Sequence, residues 1–202
     1  TQNKTIYLAA NGMANISTAD IDNGSFDNCS IATIALDSSQ FDCSEVGNNT
    51  VYLKVIDVNG NVDSASAIVT VLDSIKPTAI TQNKTIYLAA NGSASITIAD
   101  INNGSLDNCA IASISLDSTN FDCSEIGANT AQLTVTDVNG NASTSSATVT
   151  VIDSIKPTVI TQNKTIYLAA NGMANISTAD IDNGSFDNCS IATIALDSSQ
   201  FD

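Results

Sequence analysis

Residues 50–57 read Thr-Val-Tyr-Leu-Lys-Val-Ile-Asp and form the longest strand-like stretch of the chain. Val51, Leu53 and Val55 would share one face of this strand, because successive side chains of a strand point to opposite sides. The corresponding stretch 130–137 keeps an apolar face, while its opposite face carries only Gln and Thr. The pattern predicts a strand with one buried side and one solvent-facing side.

Further strands are predicted on both sides of this stretch. After a turn at residues 58–61, the alternating residues Ala67, Val69 and Val71 form a second inward face. Before it, residues 31–37 form another strand-like run. These short runs, separated by Asn- and Gly-containing turns, are typical of antiparallel sheets.

The N-terminal segment predicts a β-hairpin. Residues 5–9 favour a strand, residues 14–18 alternate, and Asn11-Gly12 lies between them. Asn-Gly between two such runs is a strong hairpin signal. Residues 20–25 then predict a turn or a single helical turn, and no segment shows a sustained helical period.

Six or seven short strands in a unit of about 80 residues predict an all-β fold, an immunoglobulin-like antiparallel β-sandwich. The chain contains no Trp. The core is therefore expected to be mainly aliphatic, with Tyr7, Phe26 and Phe41 as its large members.

The chain repeats itself at a regular interval. The sequence Thr-Gln-Asn-Lys-Thr-Ile-Tyr-Leu-Ala-Ala-Asn-Gly begins at Thr1, Thr81 and Thr161, and the segment 161–202 repeats the segment 1–42 without a difference. A regular period of this length predicts tandem domains in an elongated array.

Three sequence domains follow from this period: 1–74, 75–154 and a truncated third repeat at 155–202. The connections between them are Asp73–Pro77 and Asp153–Pro157, which contain Pro and no Gly. Pro restricts its own backbone and that of the residue before it, so each connection is expected to be stiff.

The composition excludes several classes of partner. The net charge is −15, with six Lys and no His. Such a chain lacks the basic face that nucleic-acid binding requires, and its charge keeps a long polymer soluble and self-repelling. No stretch is apolar over the roughly 18 residues that a membrane-spanning helix requires, so membrane insertion is not expected.

Cysteines recur at fixed positions. Cys29 and Cys43 have the same spacing as Cys109 and Cys123, and Cys189 begins a third pair. The spacing predicts the disulfides Cys29–Cys43 and Cys109–Cys123, with Cys189 unpaired, in an oxidising, extracytoplasmic compartment. The alternative is a metal site with two thiolates in each repeat, but the chain has no His and no Cys-x-x-Cys.

Calcium is the candidate ligand. Asp20, Asp22 and Asp27 offer hard carboxylate oxygens close together in sequence, although their spacing is not that of an EF-hand. The alternative is that these residues form turns, which is the commonest use of Asp. No other cofactor is required. Catalysis is not expected, because no His or adjacent base is available to activate a Ser or Thr hydroxyl.

Several short motifs lie along the whole repeat: 27–29, 41–44, 46–51, 57–61 and 69–73, the last followed by Pro77. Together they resemble the hyalin-repeat (HYR)-like modules of very large Bacteroidetes surface adhesins. The resemblance implies an immunoglobulin-like sandwich, export by the type IX system and a long cell-surface filament of the kind used in gliding motility.

Four Asp-Ser-x tripeptides resemble the O-glycosylation signal of exported Bacteroidetes proteins. Their serines are Ser64, Ser74, Ser118 and Ser154. Ser74 and Ser154 are the better candidates, because they fall at the connections between repeats.

These patterns favour a structural role: the shaft of an extracellular, cell-surface adhesin, in which each repeat contacts neighbouring repeats of the same polypeptide. The shaft would space a distal adhesive region from the cell, and other regions would bind the surface or polysaccharide target. One alternative is a weak carbohydrate-binding module in each repeat that acts by avidity. Another is a shaft attached to an enzyme elsewhere in the polypeptide.

Overall fold

The computed structural model describes all residues 1–202, and its regular structure is almost entirely β. Its helices are single turns: α1 (Thr18–Ile21), α2 (Ile98–Ile101) and α3 (Thr178–Ile181). The strands of the first repeat are β1 (Lys4–Tyr7), β2 (Met13–Asn15), β3 (Ile31–Leu36), β4 (Gln40–Asp42), β5 (Gly47–Asp57) and β6 (Val62–Leu72). Those of the second are β7 (Lys84–Tyr87), β8 (Ser93–Ser95), β9 (Ile111–Leu116), β10 (Asn120–Asp122), β11 (Gly127–Asp137) and β12 (Ala142–Ile152). The third repeat has only β13 (Ala174–Asn175) and β14 (Gln200–Phe201).

Each of the first two repeats contains a four-stranded and a two-stranded sheet. In the first repeat the orders are β1-β6-β5-β3 and β2-β4, and in the second they are β7-β12-β11-β9 and β10-β8. β1 runs parallel to β6, whereas β5 is antiparallel to both β6 and β3. The predicted immunoglobulin-type β-sandwich is confirmed.

The core of the first repeat lies between its two sheets. Val51 and Leu53 are 1% and 2% exposed and Val55 is half-buried, so the inward face predicted for β5 is confirmed. Phe41 on β4 is also buried and belongs to the same apolar cluster. Side chains of both sheets therefore exclude water from one common interior, which is the main stabilising term for such a domain.

The predicted hairpin at Asn11-Gly12 is wrong. β1 pairs with β6 and β2 pairs with β4, so the turn carries the chain from one sheet to the other. The turn itself is tight, since the Gly12 amide donates to the Ala9 carbonyl at 2.8 Å and the Ala9 amide donates to the Met13 carbonyl at 2.9 Å. Local sequence predicted the turn but not the partners of the strands on either side.

Two of the three large residues assigned to the core are at the surface. Tyr7 is 59% exposed because Ile6 and Leu8, its neighbours in sequence, point inward and the strand alternates. Phe26 is 92% exposed and follows the turn after α1. Only Phe41 fills the predicted role.

The chain forms two compact units that do not coincide with the sequence repeats. Unit 1 comprises residues 1–81, 102–115 and 133–145, and unit 2 comprises 82–101, 116–132 and 146–202. Unit 1 thus contains the first repeat together with three segments of the second, residues 75–81, 102–115 and 133–145. The boundaries predicted at 74/75 and 154/155 mark the repetition of sequence and are not the borders of these units.

The third repeat differs from the first in structure despite its identical sequence. Residues 164–167 form no strand, and Leu168 is 56% exposed where Leu8 is 3% exposed. Residues 1–202 include no third counterpart of β6, the strand with which β1 pairs. No helix of the structure is both long and apolar enough to cross a membrane.

Candidate functional site at the repeat junction

The junction between the first two repeats lies within unit 1. It brings together Cys43 of the first repeat, residues 73–80 at and after the connection, and residues 105–109 and 137–143 of the second repeat. The corresponding junction between the second and third repeats lies within unit 2.

Both disulfides connect consecutive repeats. Cys43 is bonded to Cys109 and Cys123 to Cys189, each pair being 66 residues apart in sequence and 5.4 Å apart between Cα atoms. Cys29 is a free, exposed thiol. The predicted pairs Cys29–Cys43 and Cys109–Cys123, and the predicted unpaired Cys189, are therefore wrong.

The regular spacing of the cysteines is the reason for this error. The short separation from Cys29 to Cys43 and the long one from Cys43 to Cys109 together make up one period of the repeat. Both pairings therefore recur identically along the chain, and only the tertiary structure distinguishes them. A closed loop of 66 residues restricts the unfolded chain more than the short loop would, contributing roughly 4 kcal/mol in the chain-entropy account.

A capped 3₁₀ turn positions Cys43. The Asp42 side chain accepts hydrogen bonds from the Ser44 amide at 2.8 Å and the Ser44 hydroxyl at 2.6 Å, and the Asp42 amide donates to Glu45 at 2.9 Å. The Ser44 hydrogen bonds lower the pKa of Asp42. The same reciprocal cap holds Cys123 in the second repeat.

Two backbone interactions position Cys109. The Thr78 amide donates to the Leu106 carbonyl at 2.7 Å and the Leu106 amide donates to the Thr78 carbonyl at 3.1 Å. The Cys109 amide then donates to the Asp107 carboxylate at 2.9 Å. The segment that carries Cys109 is thus held against the connection from the preceding repeat.

Side chains of the second repeat also bind the connection directly. The Asn141 amide group donates to the Asp73 carbonyl at 3.3 Å, and the Ser143 hydroxyl donates to the carbonyl of Pro77. Pro77 is buried. The connection is therefore part of the packed structure and does not behave as a flexible linker.

A glycine in each of the first two repeats permits close backbone approach at the junction. Gly12 has a φ of 73°, and a Cβ atom on it would lie 2.8 Å from the Asn108 carbonyl oxygen and 3.0 Å from the Cys43 sulfur. At Gly92 the corresponding distance to the Asn188 carbonyl oxygen is 2.7 Å. Only glycine fits here without displacement of the neighbouring backbone.

Three carboxylates converge beside the disulfide. Asp73, Asp107 and Asp137 each offer an oxygen within 4.8 Å of the others, and they form the single group of three or more acidic or cysteine side chains close enough to hold a metal ion. Asp137, at the end of β11, is 2% exposed. It accepts hydrogen bonds from the amides of Asn139 and Asn141, at 2.9 and 2.7 Å, and from the Asn141 side chain at 2.8 Å.

The structure does not bring the predicted calcium residues together. Asp20 forms an ion pair with Lys4 at 2.8 Å, Asp22 accepts hydrogen bonds from Ser25, and Asp27 accepts one at 2.9 Å from the amide two residues ahead. Each carboxylate thus belongs to a separate local motif, which is the alternative use expected for Asp in turns.

The Asp20 carboxylate is strongly stabilised in its charged form. Hydrogen bonds from Lys4 and Ser17 lower its pKa well below the ordinary value, and the equivalent partners act on Asp100 and Asp180 in the later repeats. A folded-state pKa below the unfolded one stabilises the fold above the unfolded pKa. This contribution is lost as pH falls through the folded-state value.

The junction carboxylates could have been found from the repeat alignment. Asp107 is the counterpart of Asp27, and Asp137 is the counterpart of Asp57, in an Asp-x-Asn-x-Asn motif. The expected calcium residues include Asp27, the first-repeat counterpart of Asp107, together with its sequence neighbours Asp20 and Asp22. The actual companions come from the connection and from the end of a distant strand.

The candidate glycosylation serines differ in accessibility. Ser64, Ser74 and Ser154 are exposed, and Ser118 is partly buried. Ser74 and Ser154 lie next to Asp73 and Asp153 at the two junctions. Modification of these serines stays a prediction.

Peptide mapping without reduction should recover Cys43 linked to Cys109 and Cys123 linked to Cys189. A maleimide reagent should label Cys29 alone before reduction, because Cys29 is the exposed free thiol. After reduction all five cysteines should react. Recovery of Cys29 linked to Cys43 would contradict the junction described above.

Neither a protein-family model nor a curated protein matches the chain. Solved structures do match. Protocadherin Gamma B7 extracellular cadherin domains 1–4 share 10% identity with a TM-score of 0.35, over 81% of this chain and 53% of that one. The chain therefore spans about half the length of that protein.

Two further similar structures are the fibronectin(III)-like modules of Clostridium thermocellum CbhA and the human mucin-like protocadherin EC1-2. The first shares 10% identity over 75% of this chain and 90% of that chain, with a TM-score of 0.29. The second shares 12% identity over 75% of this chain and 97% of that chain, with a TM-score of 0.32. The structural neighbours of the chain are thus cadherin and fibronectin-III-like β-sandwich domains.

Proposed function

We propose that this protein is an extracellular structural repeat protein, the shaft of a long secreted adhesin, in which disulfides make each repeat mechanically continuous with the next. The observation that carries this proposal is the pairing of Cys43 with Cys109 and of Cys123 with Cys189. Each bond joins two consecutive copies of the repeat instead of closing a loop within one copy.

The bridges change the path along which a pulling force travels. With both intact, residues 44–108 and 124–188 lie in closed loops parallel to the load-bearing path. The path runs through a disulfide, then along residues 109–123, then through the next disulfide. β5 and β6, which contribute five of the eleven buried residues of the first core, are inside the first loop. Force applied to the ends therefore does not pull these strands out along the chain.

The proposed location is outside the cell. Disulfides persist in oxidising compartments and are rare in the cytosol, and this chain has two. A net charge of −15 keeps extended chains apart through mutual repulsion. A shaft that projects from a surface needs both properties.

The finer assignment rests on the resemblance to HYR-like modules such as those of the gliding-motility adhesin SprB. We infer from it a filament that spaces a distal adhesive region from the cell, exported by the type IX system. Its partners along the shaft are the neighbouring repeats of the same polypeptide. Other regions of the protein would bind the surface or polysaccharide.

Small-angle scattering on proteins of two, four and six repeats tests the shaft. We expect the maximum dimension to grow by a constant increment of roughly 35–40 Å per repeat, if strands of typical length lie along the shaft with loops at each end. The bound connection and the self-repelling surface are the physical reasons. Growth close to the cube root of mass would show that the repeats fold back on one another and would overturn the proposed function.

A further inference from the structure

The carboxylates of Asp73, Asp107 and Asp137 carry an unbalanced charge. Their oxygens lie within 4.8 Å of one another, so the negative charges repel strongly in a partly buried site. No lysine offsets them, because the ion pairs of the structure all lie elsewhere: Lys4–Asp20, Lys84–Asp100 and Lys164–Asp180.

A second observation points to a ligand. The Asp73 Oδ2, Asp107 Oδ1 and Asn108 Oδ1 atoms are all buried and have no hydrogen-bond partner. The remaining carboxylate oxygens of Asp73 and Asp107 accept from N–H groups, which fixes both side chains in place. Buried polar atoms without partners are rare in proteins. All three atoms are oxygens that only accept hydrogen bonds, and a bound cation would supply the positive charge that they lack.

The same arrangement recurs in unit 2. Asp187 Oδ2 and Asn188 Oδ1 are again buried without a partner, and the Asn188 amide group donates to Asp153 at 3.1 Å. These residues are the counterparts of Asp107, Asn108 and Asp73. The complete group of three carboxylates is observed at the first junction.

We propose that Asp73, Asp107 and Asp137, together with the Asn108 side-chain oxygen, bind one calcium ion at the repeat junction. All of these ligands are hard oxygens, which Ca²⁺ binds in groups of six to eight, with backbone carbonyls or water completing the shell. Zinc favours His and thiolate ligands. The chain has no His, and both nearby cysteines are in a disulfide.

This site joins two repeats, since Asp73 comes from the first repeat and the other ligands come from the second. Binding therefore stabilises the folded junction relative to any state in which the connection has separated from the second repeat. The inference does not depend on the proposed shaft, because a cation would bind this site in a protein of any function.

The test is calorimetric titration of the full oxidised chain with CaCl₂ after removal of metal by EDTA, together with thermal unfolding. We expect one dominant site and a melting temperature that rises with millimolar calcium. Asp107→Asn should lower the calcium affinity at least tenfold, because it removes one charge from the group, and Asp73→Asn is the second variant. Magnesium should bind more weakly, because it demands a stricter geometry and retains its water.

Asp57→Asn is the matched control. In the first repeat, Asp57 occupies the position that Asp137 has in the second repeat. It accepts the equivalent hydrogen bonds: from the Asn59 amide at 2.8 Å, the Asn61 amide at 2.8 Å and the Asn61 side chain at 2.7 Å. It is not part of the acidic group, so its substitution should leave the affinity unchanged. The proposal is overturned by an absence of calcium heat and thermal shift. Equal affinities in Asp57→Asn, Asp73→Asn and Asp107→Asn would also overturn it.

Discussion

Pulled from its two ends with both disulfides intact, the 202-residue chain should extend to only about 250 Å, against about 700 Å after reduction. The bridges exclude residues 44–108 and 124–188 from the stretched path. Only residues 1–43, 109–123 and 189–202 can lengthen, at about 3.5 Å for each residue.

Single-molecule force spectroscopy in oxidising and reducing buffer measures this difference on one protein. Reduction should convert the short extension into the long one, and re-oxidation of the refolded protein should restore the short one. Bridges within each repeat, Cys29–Cys43 and Cys109–Cys123, would leave most of the chain extensible and give about 600 Å. An extension of that length in oxidising buffer would rule out the junction pairing and the disulfide-linked shaft proposed from it.

The second large effect is expected for Gly12→Ala, which should lower the free energy of unfolding by about 3 kcal/mol. The new Cβ would meet the Asn108 carbonyl oxygen at 2.8 Å and the Cys43 sulfur at 3.0 Å. Both neighbours belong to a packed junction, so neither moves at low cost. The positive φ of 73° adds conformational strain that alanine does not avoid. Urea unfolding of the oxidised protein, followed by circular dichroism, measures the change.

Substitution of two other glycines distinguishes the effect of the steric clash at Gly12 from the effect of its positive φ. Gly24, in the same unit, has a φ of 83° and no atom near the added Cβ, so Gly24→Ala should cost only about 1 kcal/mol. Gly172 has the same flanking sequence as Gly12, a φ of 77° and again no atom near its Cβ. A Gly12→Ala cost no larger than that of Gly24→Ala would show that the backbones do not approach this closely at the junction.

The junction thus combines a covalent bond, a close backbone contact and an acidic group within one region of unit 1. Cys43 participates in the first two, and Asn108 contacts both Gly12 and the Asp73 carboxylate. Substitutions at the junction are therefore expected to be coupled, because residues that share partners rarely act additively.

Much of each repeat was predictable from local sequence. Strand β5 and its inward face at Val51 and Leu53 follow from alternation. A single helical turn was one alternative for residues 20–25, and α1 forms slightly earlier, at Thr18–Ile21. Phe41 was assigned to the core by its size, and it is buried. The exposed Tyr7 was assigned to the core on size alone, although alternation with Ile6 and Leu8 already placed it on the outer face.

The partners of each strand and of each acidic side chain were not predictable in this way. β1 pairs in parallel with β6, at the other end of the repeat, and not with β2 across the adjacent turn. Asp107 lies with Asp73 and Asp137, which are distant in sequence, and not with the carboxylates near its own position in the repeat. These contacts are properties of the folded chain, because local patterns specify which side is buried and not what covers it.

The sequence by itself determined the period, the β-structure and the inward faces, because each can be read from residue type and spacing along the chain. Tertiary structure alone decided the cysteine pairing. Pairs within a repeat and pairs across a junction would both repeat regularly along the chain, so the cysteine spacing does not distinguish them. It also decided the partner of β1. A strand exists only where a second strand accepts its backbone hydrogen bonds, and β6 provides that partner from the other end of the repeat.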